Sequence, residues 1–506
     1  MVCLEVVACA KATTPQAPQG GGGKPATWYV ATTGSDTNTG SLASPFASVG
    51  KGIAAALPGD TVMVRGGTYY GTIAFTLSGE LGKNITLKAY PGETPSIDGS
   101  QITASGAQAL VTLAGDRYIT LDGLNICNLS GGAGSDPEGI SINGASHDIT
   151  IENCTIYNIK NTATLAQGRS GHAILVLGNS NSTPISNLVI TGCTVHDTQT
   201  GTSENITLAG NVDSFTVSHN ILFNTENIGI IVAGGDNLNP SGNVAVNYAR
   251  NGEVSDNTLY NISMSNSVAV WGAGNYGAIA IYVCGGAGTI VERNVVYNSD
   301  RGIGLVSESN IYATTTSIVR NNFVYDCWRT GIYMGDYLNF TGSGTKNCYV
   351  VNNTLFGNDK VLGAFGEIEG ELRLTDLCDS NVLENNLVYA GPSDVFVHKY
   401  TTTGSGNTVD HNLYYTTATP AWIWQSTNGP LLVTLSAWQA ASGMDAASIY
   451  GIDPQLVSAS TPDLHIQPSS PAKNAGTIIS AAVNGSTDID GNPRIVNNQI
   501  SIGAQQ

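Results

Sequence analysis

FTVSHNILFN (215–224), GEVSDNTLYN (252–261), TIVERNVVYN (289–298), SIVRNNFVYD (317–326) and CYVVNNTLFG (348–357) are one ten-residue pattern written five times. It extends back through LVITGCTVHD (188–197), ITIENCTIYN (149–158) and ITLDGLNICN (119–128), and forward through NVLENNLVYA (381–390) and NTVDHNLYYT (407–416). Successive starts lie 26 to 39 residues apart, the period of one solenoid coil with loops of varying length. Positions three and eight are aliphatic in nearly every copy, as in Val217 and Leu222 or Val291 and Val296, and these face inward. Position six is Asn in the last seven copies, from Asn220 to Asn412, with Cys154 and Cys193 in the same slot before them. An amide carries both donor and acceptor, so stacked Asn residues can bond from coil to coil. Position nine is a column of rings, among them Tyr157, His196, Phe223, Tyr260, Tyr297 and Tyr325.

Most copies are accompanied by a second strand phrase with period two: GISING (139–144), AILVLG (173–178), NITLAG (205–210), GIIVAG (229–234), AIYVCG (280–285), GIGLVS (302–307) and GIYMGD (331–336). Stacked coils of this kind make long parallel sheets. The fold class is therefore all-β, a single-stranded right-handed parallel β-helix with an N-terminal cap and a C-terminal capping segment. The expected divisions are a signal-like segment and tether at 1–26, the cap at 27–59, the β-helix at 60–416 and the C-terminal cap at 417–506. Helices are expected only at Ser48–Leu57 and Leu435–Ser442.

Composition agrees with an ordered, turn-rich chain. Of 506 residues 61 are Gly, and only 11% are charged. The net charge of −18 and the lack of any Lys/Arg run exclude nucleic acid as a partner. No transmembrane helix is expected. Nine cysteines without a CxxC pair give no zinc signature. Val6-Val7-Ala8-Cys9 resembles a bacterial lipobox, and Ala10 to Ala26 reads as a flexible tether. Export to the extracellular space or cell surface, with a lipid anchor at Cys9, is the matching expectation.

The opening block closely resembles that of extracellular bacterial right-handed parallel β-helix proteins of the pectate-lyase-like superfamily, the pectate, alginate and chondroitin-lyase-like group. The residues that carry the match are Tyr29 to Gly40, Pro45-Phe46, Pro58-Gly59-Asp60-Thr61-Val62 and Arg65-Gly66-Gly67-Thr68-Tyr69. Asp453-Pro454, Asp463-Leu464-His465, Ser470-Pro471-Ala472 and Asp488 to Arg494 fit the same group. The resemblance implies a monomeric protein acting on polysaccharide through the outer face of one parallel sheet. Polysaccharide lyase chemistry is expected first and glycoside hydrolysis second, with Ca²⁺ as the implied cofactor. A noncatalytic surface β-helix that binds glycans or builds the envelope is the alternative.

The outward row of the second strand series reads Ser141, Leu175, Thr207, Ile231, Tyr282, Gly304, Tyr333, Arg373, which is not an acidic face. Relatives with these phrases commonly carry acids where this chain has Ile231, Cys284 and Gly304. The remaining catalytic candidates stand at strand ends: Glu204, Asp236, Glu308 and Asp336, with His172 and Arg250 beside them. Asp236 and Glu308 are the expected Ca²⁺ ligands. Tyr282, Tyr333, Trp271, Arg301 and Arg329 are the expected substrate-binding residues, although the recurrence of the two arginines at the start of strand phrases also suits a structural tie.

Overall fold

In the computed structural model, which describes residues 24–506 except 236–241, 337, 339, 362–367 and 393, the chain winds into a right-handed parallel β-helix. Three parallel sheets, each counted at 13 strands, run its length. The first sheet goes from Thr27–Val30 to Thr408–Asp410, the second from Ile73–Ala74 to Ile423–Trp424 and the third from Gly67–Tyr70 to Ile449–Tyr450. Strands thus continue past residue 60 at one end and 416 at the other.

The ten-residue pattern is a strand of the first sheet, a bend and a strand of the third. Position five takes a left-handed backbone, with φ of 57° at His219, 57° at Asp256, 52° at Arg293 and 55° at Asn321. Position ten does the same at Asn224, Asn261, Asn298 and Asp326. Asn and Asp tolerate this conformation better than other side chains, which explains why position ten is so often one of them. The Asn at position six then locks the first bend. Nδ2 of Asn220, Asn257 and Asn294 donates to Oδ1 of the next Asn along at 3.0, 2.9 and 3.0 Å. The chain of amides continues through Asn353 and Asn386 to Asn412. Inside, Ile151, Val217, Val254, Val291, Val319 and Val350 stack with no exposure, part of one continuous core.

The ring column at position nine lies outside the third sheet. From Tyr157 through His196, Phe223, Tyr260 and Tyr297 to Tyr325 the centroids are 5.0 to 5.1 Å apart and the planes within 9° of parallel. The column then breaks: Phe356, Tyr389 and Tyr415 meet edge to face, at 81° and 83°. Here the C-terminal segment runs back along the helix. Asn321, Asn352 and Asn385 donate to carbonyls of Asn484, Ser501 and Thr477. Leu464, Ala472 and Ile502 cover Phe323, Leu387 and Leu413. Helices form at Val49–Ala55, N-capped by Ser48, and at Leu435–Ser442, where buried Trp438 covers the last coils. Further short helices occur at Val268–Trp271 and Ala481–Asn484, which the sequence pattern had not indicated. None of the described helices is long and apolar enough to cross a membrane.

Candidate active site on the second sheet

A polar column crosses the start of the second sheet. Glu138 pairs in register with His172, and Glu204 stands at the same offset on the next strand, two residues before the inward Ile206 that pairs Ile174. Glu138 and His172 are each 3% exposed. His172 Nδ1 lies 2.8 Å from Thr207 Oγ1 and 3.1 Å from the Glu204 carbonyl oxygen, and since a carbonyl only accepts, Nδ1 carries the proton. The Thr207 hydroxyl in turn donates to Glu204 Oε2 at 3.1 Å. The imidazole lies between two carboxylates, with Nδ1 3.9 Å from Glu204 Oε2 and Nε2 3.8 Å from Asp136 Oδ1. Burial raises the Glu138 carboxyl above its ordinary range, and the charge of Asp136 adds to this. Burial also raises Glu204; His172 and Thr207 work against that shift, and the negative charge of Glu308 works with it.

Glu308 is exposed and accepts a hydrogen bond of 2.7 Å from the Tyr282 hydroxyl. Tyr282 stacks on Tyr333 at 6.3 Å, and the two rings close over Gly304. A Cβ at Gly304 would come within 2.8 Å of both rings, so any side chain there would have to push the two tyrosines aside. Ile231 and Cys284 likewise belong to an apolar cluster on this outer face, with Ile228, Ile279 and Val306. The floor of the groove is therefore apolar and aromatic. Asp136 and Glu138, in the strand Ser130–Asn143, gather with Glu204 at the start of Glu204–Gly210, and Glu308, which follows the strand Arg301–Ser307, sits against Tyr282.

At the other end, Arg301, Arg329 and Arg373 converge on Glu369. Arg301 and Arg373 reach it at 2.9 and 3.1 Å, and Arg329 pairs with the same carboxylate. Burial alone would raise the Glu369 carboxyl, but the three guanidinium groups more than offset this and hold it well below the usual range. Arg301 also lies 5.4 Å from the Tyr333 ring centroid, which links the cluster to the groove floor.

The structure thus brings His172, Glu204, Glu308, Tyr282, Tyr333 and Arg301 onto one outer face. It places the other candidates elsewhere. Arg250 is tied to Asp213 at 2.9 Å and to the carbonyls of Val246 and Tyr248, in the turn between the second and first sheets. Trp271 donates to Glu226, the buried partner of Arg169. Asp336 is buried at the far end of its strand, where it pairs in register with Ser307, one residue short of Glu308. Asp236 lies outside the described residues, as does Cys9. No three His, Cys, Asp or Glu side chains among the described residues converge into a group fit to hold a metal ion. Asp136 and Glu138 are not marked by the sequence pattern, because they precede the period-two strand phrase, whose outward residue is Ser141. The available signal was the shared offset: Glu138, His172 and Glu204 each stand two residues before an inward isoleucine.

Fold and groove define the class, a right-handed parallel β-helix protein. The model of the Pel9A-like, right handed beta helix region matches residues 28–221. More specifically, the chain is 33% identical over 449 residues to the uncharacterized protein YwoF of Bacillus subtilis, spanning 88% of this chain and 92% of that one, and it belongs to the same family. A shorter stretch of 81 residues, 16% of this chain and 20% of the other, is 37% identical to pectate lyase PEL9 of Emericella nidulans. Among solved structures, XylC in complex with xylose shares the fold at 12% identity with a TM-score of 0.54, covering 94% of this chain and 98% of that one. A lacto-N-biosidase from Eubacterium ramulus shares it at 13% identity and 0.52, over 77% and 68%.

Proposed function

We propose that this protein is an exported carbohydrate-active enzyme that hydrolyses glycosidic bonds of a polysaccharide lying along the outer face of the second sheet. The observation that carries this reading is the carboxylate pair Glu204 and Glu308. One is pushed up by burial and by its neighbour's charge, and the other is exposed and oriented by Tyr282. Glycoside hydrolysis needs two such groups, a proton donor for the leaving oxygen and a carboxylate that activates water or attacks the sugar carbon. In this reading Glu204 is the acid, its carboxyl raised above the ordinary range by burial, and Glu308 is the nucleophile or base. His172 and Thr207 fix the rotamer of Glu204, and Tyr282 and Tyr333 provide apolar surface against which sugar rings pack.

Hydrolysis is favoured over β-elimination by the charges around the groove. A lyase must bind a uronate carboxylate and neutralise it. Here Asp136, Glu138 and Glu204 surround the His172 imidazole and Glu308 adds its charge towards Glu204, while Arg301, Arg329 and Arg373 are engaged by Glu369.

The test is a polysaccharide screen that follows new reducing ends and, in parallel, absorbance at 235 nm. Hydrolysis gives the first signal alone, and Glu204→Gln and Glu308→Gln should each lower it at least about a hundredfold with little change in thermal stability. A product absorbing at 235 nm would establish elimination instead. Glycan binding without any product would make the protein a noncatalytic surface β-helix. Export and lipidation at Cys9 belong to the same proposal, and cell fractionation with mass analysis of the mature N-terminus tests both.

A further inference from the structure

Beyond the groove, a pocket of about 480 Å³ opens between residues 356–360 on one side and residues 389–392 and Asp394 on the other, at the turn that leads from the third sheet to the second. Its wall carries Phe356, Tyr389 and Pro392 on one hand and Asn358, Asp359 and Asp394 on the other. That volume falls within the range of about 300 to 1,000 Å³ usual for small-molecule sites. We propose that this pocket is a separate binding site for a neutral sugar ring, with Asp359 and Asp394 as its hydrogen-bonding groups and the rings of Phe356 and Tyr389 as its apolar wall.

Asp359 is the observation that points to a ligand. It is 3% exposed, and its Oδ2 accepts from the backbone N–H groups of Glu369 and Gly370 at 3.0 and 2.8 Å. Its Oδ1, also buried, has no hydrogen-bond partner among the described residues. A buried carboxylate oxygen left unsatisfied is costly, and a hydroxyl donor from a ligand in the pocket would remove that cost. Asp394 is similarly placed: Oδ1 accepts from the Val395 N–H, and the carboxyl faces that of Glu371. Glu371 is held in turn by the backbone and side-chain N–H groups of Asn358 at 2.9 and 2.6 Å. Burial raises all three acids, Asp359 to about 6, so they can donate as well as accept.

The ring geometry agrees. Along most of the third sheet each ring face is covered by the ring of the next coil, which leaves no face for a sugar. At Phe356 and Tyr389 the contact turns to 81°, and both rings, partly buried against the C-terminal segment, also line the pocket. A cation is the less suitable occupant, because the described acids do not converge into a metal-binding group and Lys360, which pairs with Asp326 at 3.2 Å, stands in the same wall. The pocket also lies along the same sheet as the groove. Six strand spacings separate the strand of Glu204 from that of Val397, about 29 Å, so one long glycan could reach both.

Isothermal titration of the full-length protein at pH 6 with cellobiose, xylobiose and lactose as probes tests the proposal. Saturable binding of at least one is expected. It should weaken by about tenfold or more, the equivalent of one lost hydrogen bond to a charged group, in Asp359→Asn, and be abolished in Thr417→Trp, which crowds the exposed rim without touching the core. Glu204→Gln should bind as the parent does. The proposal is overturned if none of the probes binds, or if binding survives Thr417→Trp. It is overturned as well if Glu204→Gln alone abolishes binding, since the ligand would then belong to the groove. Calcium chloride that binds the parent but not Thr417→Trp, and displaces the sugar, would also overturn it in favour of a cation site.

Discussion

Glu369 and Glu371 are two residues apart, equally buried, and opposite in behaviour. Glu369 is surrounded by Arg301, Arg329 and Arg373 and stays ionised far below the ordinary carboxylate range. Glu371 faces Asp394 with no guanidinium of its own, and burial pushes its carboxyl up to about 7. Burial is the same for both; the counter-charge decides. An acid whose charge is already balanced is a clamp, here joining three coils of the second sheet. An acid whose charge is unbalanced is pushed up and remains available for chemistry or for a ligand, and burial raises Glu138 and Glu204 in the same direction.

The sharpest way to break this contrast is Glu369→Gln. It leaves three arginines buried without their common anion, and a loss of about 3 to 5 kcal/mol in a denaturant titration is expected. A loss below about 1 kcal/mol would mean that the clamp is not holding the coils together.

An uncharged reference comes next. Asn294→Leu removes the acceptor for both N–H groups of Asn257 and the donor to the Val254 carbonyl. A cost of about 1 to 3 kcal/mol is expected, the same at pH 5 and pH 8, because no proton is involved. A pH-dependent cost would show that the ladder is coupled to the buried acids.

Asp394→Asn then tests the proton directly. The folded chain keeps protons on Glu371 and Asp394 that the unfolded chain releases near pH 4, so their contribution to stability falls as pH rises from about 4 towards 7. An Asn side chain can donate permanently where the shared proton now sits. The variant should therefore match the parent at pH 4 and exceed it at pH 8, by about 1 to 2 kcal/mol. A variant that is less stable than the parent at pH 8 would contradict the shared-proton assignment.

The smallest effect belongs to an acid of neither kind. Asp148 is partly exposed, pairs with His147 at 2.6 Å and has φ of 55°, which Asn adopts as readily. Asp148→Asn should change stability by less than about 0.5 kcal/mol at any pH, and thermal denaturation would reveal a larger effect.

Much of the architecture was legible because a β-helix repeats its constraints. Each coil needs inward aliphatics at two positions and a turn-tolerant residue at the bend, so ten copies of the pattern reinforced one another. The helix at Leu435–Ser442 was readable from its Thr434 cap and Gly443 stop. The site was only partly readable. His172, Glu204 and Glu308 stood out as charged residues at strand ends. Asp136 and Glu138 did not, because a polar column on the outer face has no hydrophobic period to mark it. Glu369 and Glu371 lie at the end of a long insertion between the strands Thr354–Phe356 and Leu372–Leu374, where there is no pattern to count.

What the sequence by itself determined is the winding. Period, inward aliphatics, bend asparagines and ring column are local properties, and any chain with them must stack its coils to bury them. What only the tertiary structure decided is which charges meet. Arg301, Arg329 and Arg373 are separated from Glu369 by between 4 and 68 residues, yet they share one carboxylate, and Arg250 and Trp271 turned to partners outside the groove. Strand pairing sets the height of each coil, but loops of different length set where a long side chain ends. The protonation of a buried acid depends on the few charges within reach of it, and those are known only once the coils are stacked.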